Sequence, residues 1–163
     1  PLRIVGNLPY NISTPILFHL AGYSALTRDI HIMLQREVVE RLIAKPGNRD
    51  YGRLSVMAQY HWQIDSLYHI GPNAFYPPPK VESAFARLIP HPATPVDTGD
   101  FDSFELVVRT AFSARRKTLR NSLKALLDAE QIQRCGVDPQ RRPETLTLEE
   151  FAALSHTHHT NKT

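Results

Sequence analysis

The chain has 163 residues, of which 42% are apolar and 21% charged, with a formal net charge of +3; this is the make-up of folded globular protein and excludes disorder over the whole length. No apolar run is long enough to cross a bilayer, and no charged-then-apolar leader is read at the start. The single cysteine, Cys135, excludes an intrachain disulfide, no Cys/His spacing resembles a zinc site, and a reducing cytoplasm is the expected location, with neither metal nor membrane as partner.

Leu2 to Asn7 (LRIVGN) reads as a buried strand with almost nothing before it. Thr14-Pro15 predicts an N-cap followed by proline at the first helical position, opening a helix with Ile16, Leu17 and Leu20 inward. Ile30 to Leu34 is a second strand, and Arg36 to Ala44 carries Val38, Val39, Leu42 and Ile43 at helical spacing before Lys45-Pro46-Gly47 stops it. Leu54 to Trp62 is a further expected helix. Leu67 to Ile70 is a short strand and Ser83 to Ile89 a longer one. Strands alternating with helices predict an α/β layered sheet with parallel crossovers. His91 to Asp100, rich in Pro and Thr, reads as a linker. Beyond it the period is helical over Phe101 to Phe112 and Leu119 to Leu127. Thr147-Leu148-Glu149-Glu150 fits a capping box ahead of a last short helix with Phe151 and Leu154 inward, and the tail from His156 is expected to fray.

Charge is distributed unevenly. Residues 106 to 127 hold Arg109, Arg115, Arg116, Lys117, Arg120 and Lys124 and no acid, leaving 13 Lys and Arg against 16 Asp and Glu elsewhere. Guanidinium forks match phosphate oxygens and a lysine adds a point charge, so Arg115 to Asn121 reads as a phosphate grip, with a merely solvated helix face as the alternative.

Two short motifs suggest chemistry. Asn7-Leu8-Pro9-Tyr10 directly follows the opening strand, and α/β sheets bind ligands at the carboxyl ends of their strands. A base's exocyclic amino group is a poor nucleophile, because its lone pair is delocalised into the ring. An Asn side-chain oxygen and a backbone carbonyl can each accept one of its N–H bonds, drawing the nitrogen toward tetrahedral geometry. Proline fixes the carbonyl's direction, and tyrosine offers a face for stacking. The alternative is a strand-ending turn in which Asn bonds backbone and Tyr packs. Phe75-Tyr76-Pro77-Pro78-Pro79 is the second motif: a stiff proline run would hold Phe75 against the other face of a base, unless that ring plugs the core.

Taken together and in order, NLPY, NISTPI, LQREVVERL, YGRLSV, the F-x-P-x-P-x-V-x-S pattern of Phe75, Pro77, Pro79, Val81 and Ser83, and RRKTLRNSL resemble the ribosomal RNA adenine dimethyltransferases, more narrowly their small-subunit branch, from Leu2 to about Leu154. The resemblance implies S-adenosylmethionine-dependent dimethylation of N6 on two adjacent adenines in a hairpin loop of small-subunit (16S) rRNA during ribosome biogenesis. It implies that Asn7, Leu8, Pro9, Tyr10 and Phe75 form the catalytic site. Asn7 and the Pro9 carbonyl would hold the amino group, Tyr10 and Phe75 would sandwich the ring, and Asn7 would also lie near the cofactor. Arg115, Arg116, Lys117, Arg120 and Lys124 would bind the rRNA.

The family's cofactor loop, a Gly-rich turn after the first strand, has no counterpart here: the seven glycines form no G-x-G pair. The expected fold is therefore the C-terminal half of a Rossmann-like α/β methyltransferase sheet, residues 1–95, followed by a small all-α rRNA-recognition domain, 96–156, and a flexible tail, 157–163. By itself this fragment is expected to be inactive, to bind S-adenosylmethionine weakly or not at all, and to self-associate through the exposed edge of its opening strand. Two other readings remain: a large-subunit rRNA adenine methyltransferase of antibiotic resistance, with the same chemistry on different RNA, and a non-enzymatic rRNA-binding assembly factor.

Overall fold

The computed structural model describes residues 1–162. Chain order is β1 (Leu2–Asn7), α1 (Ser13–Ala21), β2 (Thr27–Gln35), α2 (Arg36–Ile43), α3 (Arg53–His61), β3 (Trp62–Ile70), β4 (Ser83–Pro90), α4 (Phe101–Phe112), α5 (Leu119–Ser122), α6 (Ala129–Arg134) and α7 (Leu148–Lys162). The chain divides into two compact units. One comprises residues 1–44 and 61–93, the other 45–60 and 94–163.

The first unit is built on a four-stranded sheet in the order β1-β2-β4-β3. β1 runs parallel to β2, as the crossover through α1 requires, but β4 runs antiparallel to both β2 and β3. The expected parallel sheet is thus mixed, because β3 and β4 follow one another through a turn rather than a helix. Alternation along β2 sends Ile30, Ile32 and Leu34 into the core with Ala84, Ala86 and Leu88 of β4, and points Asp29, His31 and Met33 to the other face.

β1 departs from the expected buried strand. It is an edge strand, with Leu2 64% and Val5 68% exposed. Only one of its flanks is paired among the described residues, which is the exposed edge expected of the opening strand. Arg3 fastens it to β2 by two hydrogen bonds to the Asp29 carboxylate, at 2.7 and 2.9 Å. That guanidinium holds the Asp29 carboxyl below its ordinary range, against the opposing effect of burial. α1 begins at Ser13, before Thr14-Pro15, so Thr14 is not its cap; the Ser13 hydroxyl donates to the Tyr10 carbonyl instead.

In the second unit α4 matches its expected span. The Asp100 side chain accepts from the Ser103 N–H at its start. Leu119 to Leu127 is helical only through Ser122, and Ala129–Arg134 forms a separate helix with an Asp128/Gln131 capping box. Residues 45–60, assigned by sequence to the sheet domain, group instead with the C-terminal helices. The reasons are specific. Buried Tyr51 donates its hydroxyl to the Leu146 carbonyl at 2.7 Å, Gly47 N–H reaches the Glu144 carbonyl, and Arg53 pairs with Glu105. Of the expected linker, residues 94–100 are packed within this unit, Ser155 donating to the Thr98 carbonyl at 2.9 Å with Val96 and Thr98 buried, while 91–93 group with the sheet. Gly99, at φ +72°, lies so close to the His156 ring that a Cβ would sit 2.9 Å from its Nδ1.

The expected frayed tail is helix. After the reciprocal Thr147/Glu150 cap, α7 continues to Lys162 with Phe151, Leu154 and His158 buried, and only Thr163 of the expected tail lies outside the described residues. Packing supplies what the polar sequence of the tail does not advertise: His156 pairs with Asp97 at 3.2 Å, and His159 faces Asp100 at 3.9 Å.

Candidate active site

The turn after β1 is locked by hydrogen bonds. Asn7 pairs with Met33 in the ladder, and Leu8 N–H extends it to the Met33 carbonyl. Pro9 has no N–H to place, and its carbonyl accepts from Ile12 N–H at 3.2 Å. One lone pair of that oxygen is therefore engaged and its direction set, leaving the other for a ligand. The Tyr10 carbonyl is held by Ser13.

The Tyr10 ring is 40% exposed, and its hydroxyl lies 3.0 Å from the Ser83 hydroxyl, across 73 residues of sequence. Ser83 is fully buried at the start of β4, registered against Gln35 of β2 and Ile70 of β3. The residue before it, Glu82, is tied twice to the first residue of α2. Arg36 N–H donates to its carbonyl at 2.9 Å, and the Arg36 guanidinium, also bonded to Glu40, reaches its carboxylate. The end of the proline turn is thereby clamped to β2, and through Ser83 to the Tyr10 ring.

Asn7, Leu8, Pro9, Tyr10, Met33, Phe75, Tyr76, Pro77 and Pro79 line one open cleft of about 390 Å³. Every residue expected at the catalytic site is among them. Phe75 is half-buried, its N–H bonded to the Pro72 carbonyl in the preceding 3-10 turn. The sequence reading missed Met33, Tyr76 and the Tyr10–Ser83 link. Ser83 stood in the quoted pattern, but nothing local says that its hydroxyl meets a tyrosine 73 residues away.

The five expected RNA-binding residues divide. Arg116, Lys117, Arg120 and Lys124 are exposed and have no acidic partner among the described residues. Arg115 is engaged: its guanidinium donates to the Arg49 and Tyr51 carbonyls at 3.0 and 3.3 Å, fastening residues 49–51 to the end of α4. His156 and His159 of α7 face Asp97 and Asp100 as described, and among the described residues no group of three or more His, Cys, Asp or Glu could hold a metal.

The fold and site are those of a Rossmann-like α/β sheet with a strand-end cleft lined by Asn7, Pro9, Tyr10 and Phe75. The model of the ribosomal RNA adenine dimethylase family matches residues 1–159, and the chain belongs to that family. It is 54% identical over 158 residues to ribosomal RNA small subunit methyltransferase A of Laribacter hongkongensis, covering 97% of this chain and 60% of that protein. It is 56% identical over 154 residues to the protein of the same name from Pseudomonas fluorescens, covering 94% and 57%. The chain thus spans somewhat over half the length of these relatives. Its fold is shared by a dimethyladenosine transferase from Plasmodium falciparum, with a TM-score of 0.79 at 23% identity over 93% of this chain and 64% of the other. It is also shared by the 23S rRNA methyltransferase ErmE, with a TM-score of 0.71 at 21% identity over 96% and 65%.

Proposed function

We propose that this chain supplies the adenine-binding and RNA-gripping parts of a cytoplasmic rRNA adenine N6-dimethyltransferase, which acts on two adjacent adenines of small-subunit rRNA with S-adenosylmethionine as methyl donor. The observation that carries this reading is the convergence of Asn7, Pro9, Tyr10 and Phe75 on one cleft. The small-subunit target is favoured by the two relatives above, both named for that subunit.

The adenine must leave its stack to enter, because its amino group is otherwise enclosed by neighbouring bases. In the cleft Tyr10 and Phe75 offer faces for the ring. Stacking of this kind is worth about 1–3 kcal/mol per base and offsets part of the cost of flipping. The Asn7 side-chain oxygen and the free lone pair of the Pro9 carbonyl each accept one N6 hydrogen. The nitrogen lone pair is thereby drawn out of conjugation and aimed at one face. No general base is required, since the proton can leave the methylated ammonium to water.

The residues present fit only one end of a methyl-donor site. Asn7 stands at the carboxyl end of β1, but the sequence holds no G-x-G turn and no acid lines the cleft. The donor supplies an electrophilic methyl; this chain prepares the nucleophile. Arg116, Lys117, Arg120 and Lys124 would hold rRNA phosphates, and their lack of acidic partners among the described residues leaves all four available.

The decisive experiment is Asn7→Ala in the whole protein, assayed by methyl transfer to the small subunit. Losing one positioned hydrogen-bonding group in a reaction site costs about 10²–10³ in rate, with RNA affinity almost unchanged. Transfer that survives Asn7→Ala overturns the assignment.

A further inference from the structure

We propose that Tyr76 is a stacking platform for the nucleotide adjoining the target adenine, so that the site binds two bases and not one. The inference rests on the base-binding reading of the cleft and extends it. Tyr76 lines the cleft beside Phe75, yet it is 100% exposed and makes no hydrogen bond or ring contact within the chain among the described residues. A tyrosine with no packing role is ordinary when it stands alone on a surface. This one stands at the mouth of a pocket for a flat ring, on a turn stiffened by Pro77, Pro78 and Pro79. Those prolines restrict the main chain on its C-terminal side, so little backbone freedom is lost when a base settles on the ring.

The chemistry of flipping calls for such a surface. When one base leaves its stack, the base beside it loses a neighbour and exposes a bare face to water. An aromatic ring at the pocket's lip replaces that neighbour, whatever the base, because every base has a π-face. Lys80, exposed and without an acidic partner among the described residues, lies four positions on in the same turn and adds positive charge for the adjoining phosphate. The ligand is therefore a single-stranded dinucleotide step: the target base in the cleft, and its neighbour on Tyr76.

The test uses an RNA hairpin with two adjacent loop adenines, in which 2-aminopurine replaces one loop base at a time. Quenching on titration with the chain reports stacking at each position. The target position is the one whose quenching Tyr10→Ala abolishes. In the unmodified chain a second, neighbouring position is expected to be quenched as well. Tyr76→Ser should remove that second signal, leave the target signal in place and weaken hairpin binding roughly 5- to 100-fold. Tyr76→Phe should keep both signals. Because the side chain packs against nothing, neither variant should alter the melting temperature. Neighbour quenching that is unchanged in Tyr76→Ser overturns the proposal, as does loss of both signals, which would make Tyr76 a wall of the cleft itself. Because 2-aminopurine carries no amino group at C6, its quenching reads only the Tyr10 and Phe75 stacking faces; absence of any target quenching in the unmodified chain would bring down that sandwich, and this inference with it.

Discussion

In the turn after β1 nearly every polar group is committed. Leu8 N–H extends the ladder, Pro9 has no N–H and its carbonyl already takes Ile12, the Tyr10 carbonyl takes Ser13, and the Tyr10 hydroxyl meets Ser83. In the stretch after α4, Arg116, Lys117, Arg120 and Lys124 stand in solvent without an acidic partner among the described residues. The contrast follows from what each would hold. Pulling electron density onto a nitrogen depends on angles, and a misplacement of about 1 Å can cost 10²-fold in rate. Phosphate charge acts over a Debye length of about 8–10 Å and tolerates mobile side chains. A base pocket therefore repays rigidity, and a phosphate grip repays freedom.

If that contrast is right, variants in the two regions fail in different ways. After the rate loss expected of Asn7→Ala, the next largest effect is expected from Arg116→Ala with Lys117→Ala, read as RNA affinity against salt. Each lost phosphate contact flattens the logarithmic slope by about 0.7–0.9, so a rise from 50 to 200 mM salt should cost the double variant roughly tenfold less affinity than it costs the parent. An unchanged slope would turn the grip into a merely solvated face. Next come Ser83→Ala and Tyr10→Phe. Each breaks the same bond and should raise KM for RNA about 2- to 10-fold, with kcat nearly constant. Combined, they should cost no more than either alone; additive losses would show that the two hydroxyls act separately. Arg115→Ala should resemble neither neighbour. It should leave the salt slope alone and lower the unfolding free energy of the second unit by about 1 kcal/mol, because its job is two backbone carbonyls.

The smallest effect is a pH dependence in the same unit. Burial lowers the pKa of His158, helped by Lys162 and His159 and opposed by Asp100. Folding therefore favours neutral imidazole, and stability is lost as pH falls through the unfolded value of about 6.5. Asp97 and Asp100 are also held low, chiefly by the backbone N–H groups of Gly99 and Ser103. Their contribution is present above about pH 4 and disappears below it. Melting temperature against pH should fall in two stages, and His158→Gln should shrink the first, to which His61, also held low by burial, contributes, while leaving the second.

Where a residue's role is local, the sequence was readable: NLPY closes a strand, Phe75 stands ahead of prolines, and both end in one cleft. Periodicity likewise located α2, α4 and the core strands. What stayed hidden depends on contacts distant in sequence. Ser83 looks like any strand-opening serine until β4 brings it to Tyr10. Arg115 looks like Arg116 until residues 49–51 are folded against it. The polar tail is helix, with Ser155 and His158 buried and His156 and His159 facing Asp97 and Asp100, contacts that no local pattern reveals.

The two oxygens offered by Asn7 and Pro9 bear on how successive transfers would end. An unmodified adenine brings two amino hydrogens, one for each oxygen. After one methylation a single hydrogen remains, so under the proposed roles the intermediate would be held by one oxygen or the other and would have to pivot to present its lone pair again. The dimethylated base has none, so the Asn7 oxygen would regain a partner only by admitting water, and the Pro9 oxygen would keep only Ile12 N–H. The same pair that seats the substrate would thus expel the finished product, and the nucleotide would leave only when nothing more can be added to it.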